Sequence, residues 1–153
     1  MRRQLAILSV VLVALTGRNP ALSAGDRPFK AVYDFVGTGA FPIDDTHILF
    51  TGALSGHATH LGRFTGETEY VVDVTTGTFE TSTTLVAANG DQLFSSGSAV
   101  FTPIGGTPTG SIGWFEFTGG TGRFARASGS GAFIGVITGE GMGSLEADGV
   151  ISY

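Results

Sequence analysis

A two-residue rhythm is what most constrains this chain. From Phe29 onward apolar and polar residues alternate in short runs, and no window past the first two dozen residues repeats with helical period. In the segment 29–36, Phe29, Ala31, Tyr33 and Phe35 fall on one side of an extended backbone, with Lys30, Val32, Asp34 and Val36 on the other. Further extended runs are expected over 47–54, 68–74, 78–86, 92–101, 111–117, 132–137 and 145–153. Between them lie breaks rich in glycine, proline and aspartate, at 38–45, 57–66, 75–77 and 103–108. Asn89-Gly90 predicts a tight hairpin, with both central residues at positive φ, joining 78–86 to 92–101.

This pattern predicts an all-β domain: a single antiparallel closed β-barrel of about eight strands, which is just wide enough to hold side chains or one small ligand. Closure would also remove exposed sheet edges. A two-sheet β-sandwich is the alternative. Two runs depart from simple alternation. In 111–117, Ile112 and Trp114 oppose Phe115 and Phe117, and in 132–137, Phe133 and Ile137 oppose Ile134 and Val136. A strand with one wet face has no use for two apolar ones. Either the outer face is covered, which favours a homo-oligomer, or the inner face lines an apolar cavity.

The start of the chain reads differently. Arg2 and Arg3 precede an apolar run from Leu5 to Leu15, followed by small residues through Ser23-Ala24. That layout predicts a secretory signal peptide over 1–24 and a secreted or periplasmic domain over 25–153. The apolar run is shorter than the ~20 residues a membrane span needs. Without the leader's Arg2, Arg3 and Arg18, five basic residues face 13 acidic ones, a net charge of −8. Nucleic acid is not an expected partner, because phosphate contacts need clustered Lys and Arg. With no cysteine in the chain, stability must come from packing.

No catalytic signature stands out. Gly-x-Ser-x-Gly, Gly-x-Gly-x-x-Gly and a P-loop are all absent, and no cofactor is implied. His57 and His60 are three apart, which in a regular strand sends them to opposite faces, and no third ligand accompanies them, so no metal site is expected. The remaining candidates for acid–base work are Glu116, which shares a strand face with Ile112 and Trp114, and Tyr33 and Asp34 on the first strand. A carboxylate on a buried apolar face would have a raised pKa and could move a proton; on an outer face it would simply be solvated. Trp114, Arg63, Arg123 and Phe124 are candidate ligand contacts, although arginines in such positions are more often salt-bridged rim residues.

Gly119-Gly120-Thr121-Gly122-Arg123-Phe124 packs three glycines into four positions ahead of a cation and a large ring, and predicts a tight corner feeding a strand. Gly62-Arg63-Phe64 repeats its last triplet. The run from Phe117 through Ala127-Ser128-Gly129 resembles the C-terminal glycine motif of dirigent proteins, whose relatives, the allene oxide cyclases, share a small antiparallel barrel. It departs at Ser128, where the dirigent pattern carries arginine. The segments 56–66 and 87–91 are similar to stretches of secreted bacterial barrels. The resemblance implies an apolar lumen and no cofactor. Two functions follow as expectations: a secreted barrel that binds a small apolar molecule or self-associates as a structural module, or a cofactor-free isomerase or cyclase that works by holding its substrate in one conformer.

Overall fold

The computed structural model describes residues 25–103 and 107–153. The expected signal peptide falls on 1–24, outside the described residues. Eight strands make up the fold: β1 (Arg27–Pro42), β2 (His47–Ala58), β3 (Gly62–Asp73), β4 (Thr78–Ala87), β5 (Gln92–Thr102), β6 (Gly110–Gly120), β7 (Ser128–Gly139) and β8 (Met142–Ser152). Each pairs antiparallel with the next, and β8 returns to β1 to close the barrel. The closed barrel, rather than the sandwich, is the architecture.

The strands run longer than the alternation indicates, because bulges carry them past the points where the rhythm fails. Thr38 is the extra residue between Gly37 and Gly39 in the β1–β2 ladder. Beyond it the strand continues to Pro42 with its faces exchanged, so Phe41 turns outward and is exposed. Thr118 and Thr138 are the extra residues at equivalent irregularities in β6 and β7. The Asn89-Gly90 hairpin forms between β4 and β5 as expected, but only Gly90 has positive φ. Gly90 N–H donates to Ala87 O and Ala87 N–H to Asp91 O, so the turn is longer than a two-residue one.

Curvature decides which face looks inward. Tyr33 lies directly opposite Gly56, Phe115 opposite Gly131 and Phe133 opposite Gly113. A Cβ added at Gly131 would come within 2.6 Å of the Phe115 ring, and one at Gly113 within 2.8 Å of the Phe133 ring. Large rings can turn into a narrow barrel where the neighbouring strand offers no side chain. Phe115, Phe117 and Phe133 therefore point in, and Ile112, Trp114, Ile134 and Val136 are exposed outside.

The two ends differ. One is shut by Leu61, Phe64, Leu93, Phe124, Ala127 and Ile151, all buried, with Phe124, Leu93 and Ile151 fully so. At the other end the inner wall rises to Val74, Pro108, Ile137, Gly139 and Met142 around an opening.

Candidate functional site

The glycine-rich run builds the closed end. After the bulge at Thr118, Thr121 and Gln92 bond reciprocally: Thr121 N–H donates to Gln92 O and Gln92 N–H to Thr121 Oγ1, each at 2.9 Å. Gly122 then takes φ of 56° and opens a single 3₁₀ turn, Gly122–Phe124, which drives the Phe124 ring into the barrel. A side chain at Gly122 would occupy the place of the Asp91 carboxylate. That carboxylate accepts from Asn89 at 2.9 Å and lies 3.6 Å from Arg123 Nε. Arg123 also donates to His60 O at 2.7 Å and spreads over the Phe124 ring at 4.8 Å. Arg123 is thus engaged in joining three connections at this end.

His60, at φ of 70°, completes the closure. Its Nε2 lies 2.9 Å from Pro28 O, which only accepts, so Nε2 carries the proton and Nδ1 accepts from the Tyr153 hydroxyl at 3.2 Å. The Gly62-Arg63-Phe64 triplet works in the same layer. Phe64 enters the closed end from β3 while Arg63 is exposed on the outside.

Above this plug lies a cavity of about 470 Å³. Three aromatic groups wall it. Deepest are Phe29, Phe115 and Phe117, with ring centroids 4.9–6.0 Å apart. Tyr33 lines the wall next to them and meets the plug's Phe64 edge-on at 5.8 Å. Nearer the opening Tyr70 stacks on Phe50 at 5.2 Å and touches Phe35 and Phe79, and Phe79 leans on Phe101 at 4.7 Å. All polar side chains among the lining residues are hydroxyls: Tyr33, Thr68, Tyr70, Thr81, Thr83, Ser95 and Ser111. Thr68 and Thr83 bond each other at 2.9 Å.

Tyr33 is the distinctive member of this set. Burial alone pushes its pKa up to about 12, and no side-chain bond to another described residue engages its hydroxyl. Burial likewise raises Tyr70. Both are neutral donors at physiological pH. No Asp, Glu, His, Lys or Arg lines the cavity.

Of the residues singled out from the sequence, the structure therefore brings Tyr33 to the lumen and Phe124 to the floor beneath it. Glu116, Asp34, Trp114 and Arg63 are exposed on the outer wall, and Arg123 is tied into the closed end. Glu116 does share its face with Ile112 and Trp114, but that face is the outer one. The lumen hydroxyls of Thr81 and Thr83 were within reach of sequence reasoning, since they alternate between Phe79 and Leu85 on a single face. His57 is exposed and His60 is bonded into the closed end, so the two do not converge.

No protein-family model matches the chain, and no curated protein matches it. Among solved structures, a pterocarpan synthase dirigent protein superposes with a TM-score of 0.56 over 86% of this chain and 88% of that one, at 13% sequence identity. In fold, the chain is a dirigent-like barrel. At that identity the likeness concerns the path of the backbone, and the chemistry must be argued from the lumen itself. No helix among the described residues is long and apolar enough to cross a membrane.

Proposed function

We propose that this barrel binds a small, uncharged, ring-containing molecule in its lumen, with the Tyr33 hydroxyl as the anchoring hydrogen-bond donor. The observation that carries this reading is an aromatic-walled cavity of about 470 Å³ whose polar side chains are all hydroxyls. Ligand sites of roughly 300–1,000 Å³ combine such walls with a few placed polar groups. An ion moved into this lumen would lose hydration with nothing to replace it. The Tyr33 hydroxyl, half-buried and open to the lumen without a side-chain partner, is free to donate to a ligand acceptor that enters. The cyclase-like alternative would have Tyr33 as its proton-handling group, and a phenol held at about 12 is a poor base at neutral pH. Binding, with whatever orienting effect a shaped lumen exerts, is the reading the geometry favours. The leader-like residues 1–24 add export to this proposal.

The test uses neutral 1-anilinonaphthalene, whose fluorescence rises in apolar surroundings, followed by competition with phenols and aryl ketones. Saturable one-to-one binding is expected. Thr81→Trp, which fills the lumen, should abolish it. Tyr33→Phe should weaken acceptor-bearing aryl ketones by roughly 5–100-fold, as loss of a buried hydrogen bond implies, and leave the hydrocarbon-like probe little changed. Binding that persists in Thr81→Trp would place the site outside the barrel and end this reading.

A self-associating role draws on a different observation. Ile112 and Ile134 are direct neighbours across the β6–β7 ladder, flanked by Trp114 and Val136, and all four side chains are exposed. Contiguous apolar area of this kind marks association surfaces. Trp114→Glu is expected to lower the mass seen by sedimentation at micromolar concentration. A single-chain mass for the wild type would count against association through this wall.

A further inference from the structure

Charge on this barrel is segregated along its axis, and the segregation bears on what reaches the lumen. The described basic residues are Arg27, Lys30, Arg63, Arg123 and Arg126. All five sit at the closed end: at the starts of β1 and β3 and in the connection between β6 and β7. There they meet acidic partners, Lys30 with Asp148 at 2.8 Å and Arg123 with Asp91 at 3.6 Å. The open end is different. Asp44 and Asp45 stand in the β1–β2 connection, Asp73 at the end of β3 and Glu140 in the β7–β8 turn, with no Lys or Arg among the described residues there. Residues 104–106, Ile-Gly-Gly, add no charge.

Glu140 and Asp73 border the opening, and Asp44 and Asp45 stand in the β1–β2 connection at the same end. Glu140 lies between Gly139 and Gly141, and Asp73 precedes Val74, all three neighbours being lining residues. Asp44 accepts from the backbone N–H groups of Thr46 and His47 at 2.8 and 2.9 Å. Those bonds, with the His47 ring beside it, hold its pKa down at about 2, so it stays ionised in any ordinary buffer. Asp73 is held low in the same way by Thr75. Asp45 and Glu140 have no side-chain partner among the described residues. The His47 Nδ1 faces Asp44 at 3.0 Å.

A second observation points inward from this ring. The Tyr33 hydroxyl faces the same cavity without a side-chain partner, on a half-buried ring below an opening walled by Phe50, Tyr70 and Phe101. A molecule that reaches it enters at the end that carries these four carboxylates. Resting on the binding reading above, we propose that the barrel selects its ligand by charge at the mouth: it takes apolar molecules without negative charge, ring first, leaves any ammonium group at the carboxylate ring, and turns away anionic amphiphiles such as fatty acids. Like charges at a low-dielectric opening raise the barrier to an approaching anion and lower it for a cation, and salt weakens both effects.

Stopped-flow fluorescence with three matched probes tests this: neutral 1-anilinonaphthalene, its 8-sulfonate, and the same ring system bearing a trimethylammonium group. At about 0.01 M ionic strength, where the Debye length is about 30 Å, association should rank cation, neutral, anion, with the sulfonate roughly tenfold slower than the neutral probe. At about 1 M, where the Debye length is about 3 Å, that ratio should fall to within about twofold. The double variant Asp45→Asn/Glu140→Gln should narrow the low-salt ratio by about threefold, as removal of two of four charges implies. Equal rates for the neutral and sulfonate probes at low salt would overturn charge selection and leave the binding reading intact. A large ratio indifferent to salt would trace it to the bulk of the sulfonate and overturn it equally. Failure of the neutral probe to bind would remove both.

Discussion

Phe124→Ala is expected to lower the stability of the barrel by about 3–5 kcal/mol, the range for truncating a fully buried phenylalanine. The ring has no exposed surface, meets Tyr153 edge-on with centroids 5.0 Å apart and lies beneath the Arg123 guanidinium. Nothing at the closed end can shift to fill the space, because Arg123, Asp91 and His60 hold the surrounding connections. A loss of this size is a third or more of the ~5–15 kcal/mol that keeps a domain folded. Urea unfolding followed by tryptophan fluorescence should show a lower midpoint with an unchanged slope. Phe124→Leu should recover most of the loss. If Phe124→Ala falls by less than ~1 kcal/mol, the ring is not the plug described here.

The second large effect is expected at Gly56. An added Cβ would strike Val32 O and the backbone and Cβ of Tyr33, atoms that cannot rotate away. Gly56→Ala should therefore cost about 3 kcal/mol, at the upper end for overpacking, and should shift the β1–β2 ladder where it carries Tyr33. Gly77→Ala is the informative comparison. Gly77 has φ of 73° with nothing near the position of a Cβ, so its penalty is conformational only, about 1–2 kcal/mol. Equal losses in the two variants would mean that close approach is not what Gly56 provides. The Tyr33-dependent preference for aryl ketones should fall in Gly56→Ala and persist in Gly77→Ala.

The strands were legible in the sequence because period-two alternation is a direct image of a pleated wall. Their ends were not. Thr38, Thr118 and Thr138 each insert one residue and exchange the faces, which reads as loss of rhythm although the ladder continues. The inward face of β6 was similarly out of reach, since Ile112 and Trp114 are as apolar as Phe115 and Phe117. What decides between them is the cross-strand partner: Phe115 opposes Gly131, and Phe133 opposes Gly113. That information exists only once register is known. Glu116 and Trp114 are therefore ambiguous from sequence, and their outward placement follows from the register. Asp34 follows from Tyr33 by parity alone: once the ring turns inward opposite Gly56, its neighbour must face out.

The glycine-rich run illustrates the other limit. Its composition announced a tight corner, and a corner formed. That the corner also drives a ring into the barrel floor depends on Asp91 and His60, which lie 32 and 63 residues away from Arg123 in the chain. No local pattern could have joined them.

Seven of the eight ladders join strands that follow one another in the chain, and each can zip from its own turn. The eighth must bring Arg27 to Ile151, near opposite ends of the described chain. Closing so long a loop is the slow, entropically costly event in such a topology. Until it happens the molecule is a curled ribbon with β1 and β8 unpaired along one margin each, able to add a strand from another copy. Dilution and low temperature during refolding should therefore raise the yield of barrels far more than they change the stability of a barrel once shut.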